Sequence, residues 1–385
     1  MKRTVLRILS YVLVAVIAAS VTAIAGCTPA TQLSGSKLQQ VQSILEQYYI
    51  GDVDQKALED AASAAMVYAL GDKWSYYMTA EQYQSYQQTM SNSYVGIGIS
   101  VQIREDGQGF DVISVIDGSP AQEAGIAVGD MVIAVDGTQV AGKTISEMSV
   151  LVKGEENTTV RLTVLRGQEQ KDFTITRKTF QTPVATAKML EGNIGLITIE
   201  NFDQRCATET IAAIETLTAQ GATALIFDVR NNPGGYKSEM LEILDYLLPE
   251  GPLFRSVDYS GKETVDHSDA KHLDIPMAVV VNLSSYSAAE FFAAALDEYD
   301  AAITVGEKTY GKGYFQTTIP LTDGSAINLS IGKYTTPNGV SLADVGLTPS
   351  VQVPVDEETA AKILAGTLAP EEDPQIIAAI NALKS

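Results

Sequence analysis

The stretch MAVVVNLSSYSAAEFFAAALDEYDAAITVGEKTYGKG, residues 277–313, decides the fold class. A β-branched run, MAVVV, leads into the polar residues 282–287. An alanine-rich segment of helical composition follows over 288–298, and a second β-branched run, ITVG, ends in a lysine flanked by glycines. Strand, helix, strand is the repeating unit of parallel sheets packed by helices. The alternation extends upstream to Gly192: IGLITIENF, a helix over 208–220, ALIFDV, and a helix over 238–248. Downstream, FQTTIPL and AINLSIGKYTTP are joined by Thr322-Asp323-Gly324-Ser325, a hairpin turn. An α/β core over 181–355 is expected. It is followed by an acidic helical tail over 356–385, in which Pro370 breaks one helix and Asp373-Pro374 starts another.

Before the core the texture changes. Residues 93–180 hold short β-branched runs separated by glycine turns (GIGISVQI, FDVISVI, DMVIAVDG, TVRLTVLRG, KDFTITRK), with short helices at SPAQEAGI and 144–152. That is one small β-rich domain. Residues 37–92 read as two or three helices, with Leu38, Val41, Ile44 and Leu45 at 3–4 spacing, and 28–36 (TPATQLSGS) as a linker. Residues 1–27 have a basic start, an apolar run from Ile8 to Ala25, and end in Ile24-Ala25-Gly26-Cys27, as export signals do. That ending resembles the lipobox of bacterial lipoproteins, with Cys27 as the lipidated residue; the alternative is an uncut anchor helix. Either way the rest of the chain is expected outside the membrane and tethered to it.

Composition narrows the chemistry. The 385 residues carry 26 Lys+Arg against 47 Asp+Glu, a net charge of −21, which gives no footprint for nucleic acid. The two histidines, His267 and His272, stand five apart in VDHSDAKHLD, which reads as a surface loop. They lack the four-residue spacing of a zinc-hydrolase helix, and a Ser-His-Asp hydrolase would have to recruit one of them. With Cys27 lipidated, Cys206 is left unpaired and reads as a small buried residue.

Three segments fall at predicted strand ends, where α/β proteins place their sites. They are Asp228-Val229-Arg230-Asn231-Asn232-Pro233-Gly234-Gly235, the run from Asn282 to Glu290, and the run from Gly306 to Gln316. A serine at a helix start lies beside free N–H groups and the positive end of the dipole. A Gly-Gly loop can offer further N–H donors, and a lysine in a partly dry site loses proton affinity and can act as a base. Where histidine is scarce, serine plus lysine is the most economical nucleophile–base pair. Each segment alone has a plainer meaning: NNPGG is a turn, and SSYSAAE is an N-cap. GEKTYGKG nearly spells a P-loop, but Gly313 stands where Ser or Thr is required and a strand follows, so nucleotide binding is rejected.

In order and context the three segments resemble those of the C-terminal processing peptidases (tail-specific proteases). The resemblance runs from Asp72-Lys73-Trp74-Ser75-Tyr76-Tyr77-Met78 to Gly346-Leu347-Thr348-Pro349. Residues 93–180 resemble a circularly permuted bacterial PDZ domain through Tyr94-Val95-Gly96-Ile97-Gly98-Ile99 and Gly129-Asp130-Met131-Val132-Ile133. The resemblance implies an α/β protease core of ClpP/crotonase-like type with the PDZ domain inserted and helical segments at both ends. It implies Ser287 as nucleophile, Lys312 as general base, and Gln316 holding the lysine. The oxyanion hole would come from N–H groups of Ala288 and of Gly234 or Gly235. No metal or organic cofactor is implied.

The PDZ loop of Tyr94, Val95, Gly96, Ile97 and Gly98 would capture the C-terminal end of protein substrates with apolar termini. A homodimer through the helical segments is expected as well. Two departures stand out: Tyr286 replaces the usual Ala and would narrow the cleft, and Ala289 replaces the usual Ser. Ser284 and Ser285 compete with Ser287 for the nucleophile's part. The alternative function is a catalytically idle PDZ scaffold on a peptidase fold.

Overall fold

The computed structural model describes residues 35–104 and 106–384, so the signal, Cys27 and most of the linker lie outside the described residues. The chain divides into two compact units, one ending at Met66 and one starting at Val67. In the first, helix α1 (Lys37–Tyr48) opens with a capping box between Ser36 and Gln39, and α2 (Gln55–Tyr68) runs on to the boundary. Among the described residues no helix is long and apolar enough to cross a membrane.

The second unit begins with a strand that the helical reading of residues 37–92 does not anticipate. β1 (Tyr76–Met78) pairs antiparallel with residues 326–328 of the distant hairpin. Helix α3 (Ala80–Met90) follows, capped by Thr79 and Gln82. A two-stranded ribbon then leads into and out of the small domain: β2 (Ser93–Gly96) pairs with Lys178–Gln181.

Inside the small domain are β3 (Ile99–Ile103), β4 (Phe110–Val115), α4 (Pro120–Ala124), β5 (Met131–Val135) and β6 (Thr138–Gln139). After them come α5 (Ile145–Val152), β7 (Thr159–Arg166), β8 (Glu169–Thr176) and the ribbon's return strand β9 (Lys178–Gln181). The sheet order β3-β4-β5-β7-β8 leaves β3 at an edge. Its core holds Phe110, Val132, Met148, Leu162 and Ile175, all at most 2% exposed.

The larger domain carries β10 (Ala185–Leu190), β11 (Ile194–Ile199), α6 (Cys206–Ala219), β12 (Ala224–Asp228) and α7 (Lys237–Leu247). Next come β13 (Gly251–Asp258), β14 (Glu263–Ser268), β15 (Met277–Val281), α8 (Ala288–Glu298) and β16 (Ala302–Gly306). The hairpin β17 (Tyr314–Pro320) and β18 (Ala326–Thr335), then β19 (Val351–Gln352), α9 (Glu357–Leu364) and α10 (Pro374–Leu383) complete it.

One sheet runs β10-β11-β12-β15-β16-β19, parallel except at the β10 edge. Every residue of β12 and β15 is buried, as strands covered on both faces must be. Helices α6, α7 and α8 cover one face, packing Leu217, Leu244, Phe291 and Phe292 in one cluster with Phe227 of β12. Helix α10 covers the other through Ile376 and Ala379. A second sheet joins β1, β18, β13 and β14, with β17 on β18.

Two expectations need correction. His267 lies on β14, paired with Pro252, and not in a loop; it and His272 are exposed. Pro370 does not break α9, because the helix ends at Leu364 and Gly366 (φ 64°) follows. The last helix packs into the core through Ile376 and Ala379, and Asp373 caps it, accepting from the N–H groups of Gln375 and Ile376.

Candidate active site

The C-terminal ends of β12, β15 and β16 converge, which brings the three motif segments together. Between β15 and α8 the chain turns sharply enough to leave Ser287 at φ 60°, ψ −124°, a conformation that costs roughly 1–3 kcal/mol for a residue with a side chain. Its neighbours hold it there. Ser285 Oγ donates to Val229 O at 2.7 Å and accepts from Asn282 N at 3.0 Å. Tyr286 N donates to Asn232 O at 3.2 Å. Asn231 N donates to Asn282 Oδ1 at 3.0 Å, and Asn282 Nδ2 donates back to Asn231 Oδ1 at 2.9 Å. The paired asparagines zip the 231–235 loop to the 282–287 loop.

This separates the three serines. The Ser285 hydroxyl is spent on structure and is fully buried, and Ser284 is exposed on the turn. Ser287 is half-buried, and its hydroxyl bonds nothing among the described residues.

Ala288, the first residue of α8, has an N–H with no intrahelical partner. Gly234 fits so closely that a Cβ there would lie 2.7 Å from Ser287 Cβ and 2.8 Å from Ala288 N. Its own N–H, however, is taken by Asn232 Oδ1 at 2.8 Å, so of the two glycines Gly234 offers no free donor. Phe202 pairs with the groups on either side of Gly235, donating to Gly234 O and accepting from Tyr236 N, so the Gly235 N–H points away from that pairing.

Lys312 sits just before β17 and is 9% exposed. Burial pulls its ammonium down to about 8, against the opposing pull of the Asp72 and Glu290 carboxylates. Its Nζ lies 4.4 Å from the centre of the Trp74 ring, a cation–π contact that favours the charged form. Glu290, fully buried on the first turn of α8, fixes the backbone around the lysine. One carboxylate oxygen accepts from Thr309 Oγ1 and from Gly311 N (2.7 Å), and the other accepts from Lys312 N at 2.9 Å. Tyr334 Oη donates to Lys312 O at 2.6 Å.

Gln316 lines the same cleft, but its Nε2 donates to Tyr314 O (3.2 Å) and Ser330 Oγ (3.1 Å) and makes no hydrogen bond to Lys312. The segment that does reach the lysine is 72–75. Burial alone would raise the Asp72 carboxyl. Hydrogen bonds from Ser330, Ser75 and Trp74 N–H, with the Lys312 charge, outweigh it and hold the group below its usual range. Tyr286 packs with Trp74 and Tyr310, ring centres 5.6–6.2 Å apart, and so forms an aromatic wall beside the lysine.

The cleft has a volume of about 1030 Å³ and is bordered by Trp74, Tyr86, Gly235, Ser287, Lys312 and Gln316, among others. Behind it, Arg230 is fully paired with Asp228 (2.6 Å) and with Asp373 (2.8 Å), tying the glycine loop to the cap of α10. No local sequence pattern assigns a role to Asp72, Trp74 or Glu290. The only signal was that all three fall inside segments carrying the family resemblance.

In the small domain, Tyr94, Val95 and Gly96 lie in the ribbon, paired with Phe180, Thr179 and Lys178. Ile97 and Gly98 form the turn into β3; Ile97 O accepts from Ala121 N and Gly98 O from Ile116 N. Only the turn, and not the whole five-residue run, is loop, and it sits at the start of the edge of β3 that pairs with no strand among the described residues.

An α/β core with a serine at a strained strand–helix turn, a buried lysine opposite and an inserted PDZ-like domain defines a class of serine peptidase. The chain matches the family described as Peptidase family S41 over residues 193–353, PDZ domain over 95–176, and Activating protease CtpB N-terminal domain over 19–82. It is 33% identical over 348 residues to a probable CtpA-like serine protease of Staphylococcus aureus, covering 89% of this chain and 70% of that one. It is 34% identical to the carboxy-terminal processing protease CtpA of Bacillus subtilis over 82% of this chain and 68% of that one. The structure of a photosystem II D1 C-terminal processing protease superposes with a TM-score of 0.50 at 25% identity, covering 88% and 92% of the two chains. The chain belongs to the carboxy-terminal processing proteases of peptidase family S41, with a PDZ domain.

Proposed function

We propose that this chain is an extracytoplasmic, membrane-tethered serine endopeptidase that captures the C-terminal end of protein substrates on its PDZ domain and cuts them with a Ser287/Lys312 dyad. The observation that carries the reading is the free hydroxyl of strained Ser287 on the same cleft as a buried lysine whose proton affinity is reduced to about 8. Neutral Lys312 takes the proton as Ser287 Oγ attacks the scissile carbonyl, then returns it to the leaving amine. The N–H groups of Ala288 and Gly235 receive the developing oxyanion. Water, deprotonated by the same lysine, releases the acyl group from Ser287. Gln316 acts through the Ser330 hydroxyl beside Asp72 rather than on the lysine directly. The free edge of β3, with Ile97 and Gly98 at its start, supports docking of an apolar peptide terminus as an added strand.

Tethering through Cys27 or an anchor helix, and pairing of two copies through the apolar positions of residues 38–45, complete the proposal on the sequence pattern. Purified protein given a partly unfolded substrate with an apolar C-terminus should yield fragments, and Ser287→Ala and Lys312→Ala should each abolish them. Undiminished turnover by Ser287→Ala would overturn the nucleophile, and loss of all cleavage by the wild type would favour the idle scaffold. Because the base must be neutral, kcat/KM should rise with pH through about 8. An optimum near pH 4 would exclude a lysine base.

A further inference from the structure

The cleft has a second titratable wall that this reaction does not use. Asp203, just beyond β11, borders the cleft and is 5% exposed. Its backbone is satisfied, its N–H donating to Asn201 Oδ1 at 3.0 Å and its carbonyl accepting from Cys206 N at 3.1 Å. Its carboxylate has neither a hydrogen bond nor a cation among the described residues. The nearby cations pair elsewhere: Arg205 with Glu209 at 2.9 Å, its Nε being left without a partner among the described residues, and Lys237 with Asp266 at 2.8 Å. Glu239, on the first turn of α7, accepts from Ala207 N at 2.9 Å and adds a second negative charge nearby. Burial, then that charge, raises the Asp203 carboxyl to about 7. Asp203 Oδ1 also lies against the glycine loop: a Cβ on Gly235 would be 2.7 Å from it.

A carboxylate that borders the cleft, 5% exposed and with no partner among the described residues, is costly to ionise. A partner better than water would come from the cleft that Asp203 borders, and what a carboxylate beside a second acid accepts best is a cation. We propose that Asp203 is a specificity residue of the cleft, receiving the side chain of a lysine or arginine carried by the substrate close to the bond that is cut. This rests on the Ser287/Lys312 reading for the meaning of the cleft, but binding can be measured apart from it. The PDZ groove would select the apolar terminus and Asp203 a basic residue at the cutting site, so substrates would be defined by two features at once.

The test uses full-length Ser287→Ala at pH 8, where Asp203 is ionised. Labelled decapeptides share one apolar C-terminus, and a single lysine or glutamine is walked through the remaining positions. At one or two positions the lysine peptide should bind about tenfold more tightly than its glutamine twin. Adding Asp203→Asn should remove that ratio, and Asp203→Glu should keep most of it. No position with a lysine preference, a preference that survives Asp203→Asn, or an equal loss for both peptides would overturn the inference. Cleavage of the peptides by Ser287→Ala would instead refute the nucleophile and leave the binding comparison standing.

Discussion

The two residues on which the proposed chemistry rests differ in what holds them in place. Ser287 is set apart from Ser284 and Ser285 by geometry: Ser285 is bonded on both sides, whereas Ser287 keeps a free hydroxyl at a strained turn. For Lys312, burial lowers proton affinity while Asp72, Glu290 and the face of Trp74 raise it, and the balance falls at about 8. Asp72 is separated from Lys312 by 240 residues of sequence, and no local pattern pairs them; only the fold, which lays β1 and its preceding turn along β18, does so. The sign of its effect follows directly. Removing an opposite charge favours the neutral amine, so Asp72→Asn should shift the rising limb of the kcat/KM profile to lower pH by roughly 0.5–1 unit. A shift to higher pH, or none, would show that the carboxylate is not felt by the base.

At the scale of elements, the loop from Glu307 to Gly313 is held mainly by one side chain on another element. Glu290 sits on α8, one turn from Ser287, yet takes hydrogen bonds from three residues of the lysine loop. The proposed nucleophile and base are thereby referenced to one helix. Glu290→Gln keeps the shape but turns an NH₂ toward one of these donors, leaving a buried donor unsatisfied at about 1–3 kcal/mol. A lower Tm and a fall in kcat larger than the change in KM are expected; unchanged kcat with lowered Tm would make the glutamate purely structural.

The elements legible in the sequence were those with uninterrupted apolar runs, such as β12, β15 and α8, because complete burial leaves a composition that no loop shares. β13 and β14 were not legible, since SVDYSGKETVDHS is polar and half-exposed and its strand character comes from pairing of the two strands with each other and of β13 with β18. The donor geometry was equally hidden: NNPGG promises two glycine N–H groups, and only the fold shows that Asn232 takes one of them.

Across the whole molecule, the cleft is assembled from the turn before β1, helix α3 and both sheets, with α10 tied on behind through Arg230 and Asp373, so its charges are set by the fold as a unit. The raised carboxyl of Asp203 should therefore register in global stability. Between about pH 4 and pH 7 the unfolded chain has released a proton that native Asp203 still holds, so stability falls with rising pH across that window and is level above it. A displacement from 3.8 to about 7 corresponds to at most about 4 kcal/mol, at about 1.36 kcal/mol per pH unit. Asparagine at this position has no such linkage. The Tm of Asp203→Asn should exceed that of the wild type by an amount that grows from pH 5 to pH 7 and then holds steady to pH 9, as followed by circular dichroism. A difference independent of pH would mean that Asp203 ionises freely in the native protein. A growing one would mean that the fold gives up stability to keep a charge in the cleft, as expected of a group whose partner arrives with the substrate.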